Sequence, residues 1–360
     1  MKIDLIVGAR PNFIKAFPVY VALQEAGVFD LRLINTGQHY DKNMSSIFFR
    51  QFQMNEHKIN LKIGSGSHAE QTGKIMIEIE KVFMDNRPDM VMVFGDVNST
   101  IASALSAVKL RIPVAHVEAG LRSFDRSMPE EVNRLLTDQI SDFLFITSPE
   151  AKQNLINEGK RNDQIYFVGN TMIDSLVKFE VHFDGSDILK KYNCENKNYI
   201  LLTLHRPSNV DNIDQLTKVI HGLNKLSESH VIFWPIHPRT KKKIIENKTK
   251  VSPSIIVLEP LGYFDFMGLQ KEAKYIITDS GGIQEESTYF GVPCFTVRDN
   301  TERPITIEDG SNTLVGTDFS KIPDLIQNHL LSMNYQPKRP KYWDGKAGKR
   351  LAKIMIEKIS

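Results

Sequence analysis

Two short apolar runs, separated by one segment of helical periodicity, constrain the fold of this chain more than any other feature. Met90–Phe94 and Pro113–Val117 are bounded by turn residues, and the segment between them carries Ile101, Leu105 and Val108 at helical spacing. This pattern is typical of two parallel strands joined by a crossover helix. We therefore predict an α/β fold built on a parallel sheet.

Acidic residues stand at the ends of both predicted strands. Asp96 follows the first run and Glu118 follows the second, while Glu130 and Glu131 come after Pro129 at the start of the next predicted helix. Because open α/β sheets bind ligands at the carboxyl ends of their strands, these acids are expected at one binding edge. They indicate acid/base chemistry or a metal site. No HExxH, CxxC or close histidine pair is present, so we predict no metal.

The same succession of apolar run, turn and helix recurs along the whole chain. It predicts six strands by residue 170, and it restarts in the second half with five more, beginning at Tyr199–Leu204. We predict two Rossmann-like domains, 1–170 and 171–344, with a cleft between facing sheet edges. The tail carries Ala347, Leu351 and Ile354 at helical spacing, so it should form a helix that packs on the protein.

Composition excludes several classes of protein. The 360 residues are 41% hydrophobic with a formal net charge of +2, so we expect neither a nucleic-acid nor a membrane partner. The lysines 241–243 are interpreted as a solvated helix face. Two distant cysteines, Cys194 and Cys294, and an N-terminal apolar run too short for a signal peptide predict a cytoplasmic location.

Chemically suggestive residues of the second half also follow predicted strands. His205 and His237 each come after one strand, and Ser280, Gly281 and Gly282 come after a third, where a helix is predicted to begin. Glycines allow close approach of backbone amides, and a helix N-terminus favours anions, so a phosphate or diphosphate is the expected ligand. An ordinary glycine turn and two structural histidines are the alternatives.

The acids of the first half also have structural interpretations. Asp96 could cap the helix that begins near Ser99. Ser127 and Glu130 match a capping box, with Ser127 as the N-cap and Glu130 at the third helical position. Residue types alone favour this capping interpretation for Glu130.

A series of motifs carries a resemblance to a known family. In order they are GARPNFIK, FGDVNST, HVEAGLRS, PEEVNR, GNTMID, LHRPSN, HPR, TDSGGIQEES and TERP. Over nearly its whole length the chain thus resembles the non-hydrolysing UDP-N-acetylglucosamine 2-epimerases. The resemblance implies the GT-B architecture, a C-terminal helix (345–360) that crosses back to complete the first domain, and a homodimer. It also implies conversion of UDP-N-acetylglucosamine to UDP-N-acetylmannosamine for surface-polysaccharide synthesis.

The resemblance also assigns roles to individual residues. It places Asp96, Glu118, Glu130 and His205 in the catalytic centre, and for Glu130 it overrides the capping interpretation. The residues it assigns to nucleotide-sugar binding are Arg10, Lys15, His237, Ser280, Gly281, Gly282, Glu286 and Arg303. The implied reaction eliminates UDP to give a glycal with its double bond between C1 and C2, and then adds UDP back. It needs no cofactor, and GARPNF lacks the GxGxxG fingerprint of dinucleotide binding.

Three other functions remain open on the sequence. A GT-B glycosyltransferase would share the donor site but would need an acceptor, and it would form no epimer from UDP-N-acetylglucosamine alone. A hydrolysing epimerase would release free N-acetylmannosamine and UDP. A nucleotide-sugar sensor would bind the UDP-sugar without turnover.

Overall fold

The chain forms two α/β units, each built on a parallel sheet. The computed structural model describes residues 1–38, 59–194, 198–332 and 338–359. One unit comprises Met1–Lys178 together with Lys341–Ser360, and the other comprises Phe179–Pro340. The predicted fold class of two parallel-sheet α/β domains is confirmed.

The sheet of the first unit has seven parallel strands in the order β3-β2-β1-β4-β5-β6-β7. The strands are β1 Lys2–Val7, β2 Asp30–Asn35, β3 Ile59–Asn60, β4 Met90–Phe94, β5 Val114–Ala119, β6 Phe143–Ile146 and β7 Ile165–Phe167. The helices are α1 Arg10–Ala26, α2 His68–Asp85, α3 Asn98–Lys109, α4 Pro129–Ile140, α5 Pro149–Asn157 and α6 Thr171–Phe179. The strand order reverses between β1 and β4, which is the switch point where such sheets bind ligands.

The two central strands are buried on both faces, which explains why they read as continuous apolar runs. Every residue of β4 and β5 is buried. Their register pairs Val91 with Val114 and Phe94 with Val117, so both strands end at the same edge of the sheet. The crossover helix α3 joins them, as the sequence predicts.

The C-terminal helix belongs to the first unit. This helix, Ala347–Ile359, packs against α1 and buries Leu351 and Met355. A Cβ atom on Gly348 would lie 2.6 Å from the carbonyl oxygen of Pro18, so only glycine permits this close approach. The predicted return of the C-terminal helix to the first domain is confirmed.

The second unit contains six parallel strands in the order β10-β9-β8-β11-β12-β13. The strands are β8 Tyr199–Thr203, β9 Val231–Pro235, β10 Ile255–Leu258, β11 Tyr275–Thr278, β12 Cys294–Thr296 and β13 Asn312–Leu314. The helices in chain order are α7 Ser186–Lys191, α8 Pro207–Val210, α9 Ile213–Leu226, α10 Pro238–Glu246, α11 Tyr263–Glu272, α12 Gly281–Phe290, α13 Ile305–Glu308 and α14 Ile322–Ser332, and the C-terminal helix of the first unit is α15.

Within the described ranges, no helix combines the length and the apolar character needed to cross a bilayer. The lysines of α10 pair with acidic side chains, Lys241 with Glu259 and Lys243 with Asp211, as expected for a solvated helix face.

Candidate active site

The turn that carries Asp96 is held by side chains from three different helices. It follows β4, and two carbonyl oxygens along it accept hydrogen bonds. The Phe94 carbonyl accepts from Asn12 Nδ2 and from Thr100 Oγ1, both at 2.8 Å. The Asp96 carbonyl accepts from Asn133 Nδ2 at 2.9 Å. The backbone that presents the Asp96 carboxylate is therefore fixed before any ligand binds.

The Asp96 side chain forms an ion pair and is not a helix cap. Arg134 Nη2 contacts its carboxylate, and Arg134 Nη1 contacts Glu131. Arg134 is buried, whereas the Asp96 side chain is 22% exposed. The capping interpretation is wrong because the N-cap of α3 is Val97, which has no side-chain hydrogen bond.

The two glutamates of the PEE motif differ completely in their surroundings. Glu131 is 1% exposed and accepts hydrogen bonds from Ser123 Oγ at 2.9 Å and from the Phe124 amide at 2.9 Å. Phe124 has the left-handed φ of +58°, so Glu131 stabilises a strained loop. Glu130 lies exposed in the first turn of α4.

The capping box predicted for Glu130 does not form. The N-cap of α4 is Met128, and it has no side-chain capping bond. The Ser127 hydroxyl donates to Asp125 Oδ1 at 2.6 Å instead. The side chain of Glu130 is thus not used to close the helix end.

Glu118 lies within β5 and not beyond it, at an irregularity in the pairing with β6. Its φ of +75° is unusual for a residue with a side chain. A bulge of this kind re-aims a side chain, and such strain clusters at functional sites. The buried carboxylate forms an ion pair with the buried ammonium of Lys15. Lys15 Nζ also lies 3.1 Å from the point that a Cβ atom on Gly95 would occupy, beside the Asp96 turn.

A cavity of about 320 Å³ opens beside the Asp96 turn. Its wall includes two of the predicted catalytic acids, Asp96 and Glu130. The remaining lining residues are Gln38, Ser65, Gly66, His68, Gln71, Val97, Asn98, Pro129 and Asn133. Amide and imidazole groups next to two carboxylates suit a ligand rich in hydroxyl and amide groups.

In the second unit, His205 is oriented by a carboxylate that the sequence analysis did not assign. His205 Nδ1 lies 2.8 Å from Asp279 Oδ1, and the imidazole is 60% exposed. Burial disfavours the charged form of Asp279, but the hydrogen bonds from His205 and Asn209 outweigh it and lower the pKa of Asp279. The arrangement leaves Nε2 as the nitrogen available for chemistry.

The glycine turn of the second unit has the predicted form. Helix α12 begins at Gly281 after the N-cap Ser280, so the amides of its first turn have no partners within the helix. A Cβ atom on Gly281 would lie 2.6 Å from Arg303 Nη1, which places the Arg303 guanidinium against this turn. Arg303 is buried and forms ion pairs with Glu285 and Glu302.

Three further residues, Glu286, His237 and Arg10, were predicted to bind the nucleotide sugar. Glu286 is buried on α12, where the Gln270 amide, oriented with its nitrogen toward this carboxylate, donates to it at 3.1 Å. His237 is exposed and caps α10, with Nδ1 accepting from the Arg239 amide at 3.2 Å. The Arg10 side chain lies outside the described part of the structure.

The sequence analysis named Glu131 among the acids at the sheet edge but gave it no separate role, and it assigned no role to Arg134 or Asp279. For the pair of Glu131 and Arg134 a signal was present, because they are three residues apart on one helix and such residues face each other. For Asp279 the signal was its position directly after β11, beside the glycine turn.

Comparisons with known proteins agree with these observations. A family model described as UDP-N-acetylglucosamine 2-epimerase matches residues 21–356. The UDP-N-acetylglucosamine 2-epimerase of Methanocaldococcus jannaschii is 45% identical over 99% of both chains. The UDP-2,3-diacetamido-2,3-dideoxy-D-glucuronate 2-epimerase of Pseudomonas aeruginosa is 40% identical, over 99% of this chain and 100% of that protein.

Solved structures show the same similarity. The crystal structure of the M. jannaschii UDP-GlcNAc 2-epimerase in complex with UDP-GlcNAc and UDP has a TM-score of 0.90 and 45% identity, over 99% of this chain and 100% of that chain. The S. aureus MnaA–UDP structure has a TM-score of 0.89 and 31% identity, over 99% and 96% of the two chains. This chain therefore belongs to the UDP-N-acetylglucosamine 2-epimerase family of isomerases.

Proposed function

We propose that this protein interconverts UDP-N-acetylglucosamine and UDP-N-acetylmannosamine by elimination of UDP and its re-addition. The main support is the set of carboxylates around the turn after β4. Asp96 and Glu130 line one cavity, and Glu118 pairs with Lys15 beside the same turn. A glycosyltransferase or a sensor has no evident use for three acids beside a sugar site.

The chemistry explains why several carboxylates are needed. The hydrogen on C2 is weakly acidic, so its removal must accompany cleavage of the bond between C1 and the diphosphate oxygen. A carboxylate takes the C2 proton, the electron pair of that C–H bond forms the C1–C2 double bond, and UDP leaves with the electrons of the C1–O bond. In the return step UDP adds to C1 while an acid protonates C2 on the opposite face.

The contacts of the three acids support different roles. Asp96 and Glu118 each contact a buried cation, Arg134 and Lys15, which fixes the position of each carboxylate. We propose that they stabilise the positive charge at C1, and that Glu118 accepts the C2 proton once the diphosphate has taken over its contact with Lys15. Glu130 is exposed, and no ion pair to it occurs among the described residues. We assign to Glu130 the proton transfer that exchanges with solvent.

The residues of the second unit are proposed to bind the UDP moiety. The amides at the start of α12, which have no partners within the helix, and the cation Arg303 suit a diphosphate, because anions are stabilised at helix N-termini. His205, oriented by Asp279, is proposed to stabilise the departing diphosphate. We propose the same general role for Arg10, Lys15, His237, Ser280 and Gly282, with Glu286 accepting hydrogen bonds from the ribose hydroxyls.

The test is an NMR time course with UDP-N-acetylglucosamine in heavy water. Elimination predicts UDP-N-acetylmannosamine that carries deuterium at C2, because the base exchanges its proton with solvent. Epimer without deuterium at C2 would refute the elimination route. Free N-acetylmannosamine as the main product would identify a hydrolysing enzyme instead, and binding without any product would identify a sensor.

We also propose that the protein is a cytoplasmic homodimer that supplies UDP-N-acetylmannosamine for surface-polysaccharide synthesis. Ile77 and Met84 on α2, and Val132 and Leu136 on α4, are large apolar side chains that are 41–70% exposed. Both helices pack against α3, and exposed apolar patches often mark contact surfaces. Light scattering should therefore give the mass of a dimer for the wild type and of a monomer for Met84→Glu; a dimeric variant would exclude this face.

A further inference from the structure

A buried histidine beneath the Asp96 turn has an unusual environment. His116 lies on β5 and is fully buried. Its Nε2 is 2.8 Å from the carbonyl oxygen of Gly95, and its Nδ1 is 2.6 Å from Asp138 Oδ1. A carbonyl oxygen can only accept a hydrogen bond, so Nε2 needs a hydrogen.

The partner on the other side of the ring is also held as an acceptor. Asp138 Oδ2 accepts from the Gly120 amide at 3.0 Å and lies 2.7 Å from Arg122 Nη2. Although burial of Asp138 opposes ionisation, His116 and Arg122 outweigh this effect and lower the pKa of the carboxyl. An ionised carboxylate has no hydrogen to donate, so Nδ1 of His116 needs a hydrogen as well.

We propose that His116 carries hydrogens on both ring nitrogens, and that this imidazolium is a positioning residue that fixes the Gly95 carbonyl and thereby the Asp96 carboxylate. A neutral ring would leave one lone pair facing a lone pair of a buried oxygen, and buried polar groups without hydrogen bonds are costly. The positioning role rests on the proposed function, because Asp96 is the group positioned.

The charges around His116 support this protonation state. Glu158 contacts Arg122 at 2.6 Å, and the charges of Glu158, Arg122, Asp138 and His116 then alternate in sign along one chain. Three further charged groups flank this row of side chains. Lys160 interacts electrostatically with Asp138, and the ion pair of Lys15 and Glu118 lies beside Gly95 and on β5. Alternating signs let each buried charge stabilise its neighbour.

Loss of the hydrogen bond from His116 Nε2 to the Gly95 carbonyl should change the position of the Asp96 carboxylate. It should have a smaller effect on the affinity for the substrate. Gly95 adopts a φ of +64°, and its carbonyl is the link between His116 and the turn. Freed from that bond, the Gly95 peptide group can rotate, while Asp96 remains tied to Arg134 and its carbonyl to Asn133. Misplacement of a reacting group by about 1 Å costs roughly 10²-fold in rate.

The test uses NMR of protein labelled with ¹⁵N-histidine, together with kinetics. In the wild type at pH 8, the His116 ring, identified by its absence in His116→Gln, should show both nitrogens bonded to hydrogen. Free histidine in the same buffer gives the signature of the neutral ring. A neutral His116 ring would overturn the proposal. If His116→Gln does not fold, the His116 ring resonances of the wild type can be assigned in another way. The buried ring hydrogens should exchange slowly with water and should show nuclear Overhauser contacts to neighbouring residues of the sheet.

Kinetics separate positioning from a general structural effect. His116→Gln should lower kcat by roughly 10- to 100-fold with KM within about twofold, whereas His221→Gln, on the exposed face of α9, should leave both unchanged. Asp138→Asn removes the carboxylate that faces His116 Nδ1, so the His116 ring should then carry one hydrogen, and kcat should also fall. Normal kcat in folded His116→Gln would overturn the positioning role. An inactive wild type with a doubly protonated ring would count against the proposed function alone.

Discussion

Replacing Asp174 with Asn should change the free energy of unfolding in a way that depends on pH. Asp174 lies on α6, and its carboxylate accepts hydrogen bonds from the amides of Ala347 at 3.0 Å and Gly348 at 2.7 Å. These amides open helix α15, so Asp174 attaches the C-terminal helix to the first unit. The side chain is buried, which makes its charge costly.

The magnitude follows from the pKa of this carboxyl. Burial raises the pKa of Asp174 from 3.8 to about 6, and the two amide donors oppose the rise without cancelling it. Since each pH unit corresponds to about 1.4 kcal/mol, this rise is worth roughly 3 kcal/mol. The pKa is raised on folding, so the stability that this group contributes is complete below pH 3.8 and is lost as the pH rises through about 6.

Urea unfolding of the wild type and Asp174→Asn between pH 4 and pH 8 tests this reasoning. Asparagine does not titrate, so the wild type should lose roughly 3 kcal/mol relative to the variant across this range. Asp318→Asn is a control whose difference from the wild type should stay constant over this range: hydrogen bonds from Ser320 and Lys321 lower the pKa of Asp318 from 3.8 to about 2, so its contribution is lost only below about pH 4. A difference between wild type and Asp174→Asn that does not vary with pH would refute the argument.

The remaining predictions concern the proposed site. Glu130→Gln keeps its shape but accepts no proton, so kcat should fall by roughly 10²-fold or more with an unchanged Tm, and normal turnover would remove it from catalysis. Glu131→Gln should instead lower Tm, because Glu131 is a buried acceptor for the loop before α4; an unchanged Tm would contradict this. Gly281→Ala brings a methyl group 2.6 Å from Arg303 Nη1 and should weaken UDP binding in calorimetry. Gly262→Ala is the matched control: its methyl group meets the flexible Asp265 side chain at 3.4 Å, so the variant should bind UDP as tightly as the wild type. If Gly281→Ala bound UDP with the same affinity as Gly262→Ala, the role of the glycine turn would be refuted.

The sequence was sufficient to predict the central strands because they are buried on both faces. A parallel strand in this position must be apolar throughout, as β4 is, and a continuous apolar run between turn residues is a strong signal. The strands Ile59–Asn60 and Asn312–Leu314 were not predicted. They have 2 and 3 residues, too few to establish any periodicity.

Helix ends were harder to predict, because a cap depends on the backbone at one residue. The sequence offers Ser127 as the N-cap with Glu130 three residues later, yet the N-cap lies one residue further on, at Met128, and the helix begins at Pro129. The Ser127 hydroxyl bonds Asp125, a local alternative that competes with capping. The shift by one residue frees Glu130 to face the cavity, a result that residue types alone do not give.

Pairing between distant residues was beyond the sequence for a different reason. Both Lys15 and Glu118 were selected by their motifs, but they were given separate tasks, substrate binding and catalysis, because no pattern records that they touch. Their buried ion pair couples the two tasks. Under the proposed function, a diphosphate that contacts Lys15 competes with Glu118 for the same ammonium group, and a carboxylate released from its ion pair is free to contact the substrate. Binding of the leaving group would then release the base that the elimination needs, a link that exists only in the folded protein.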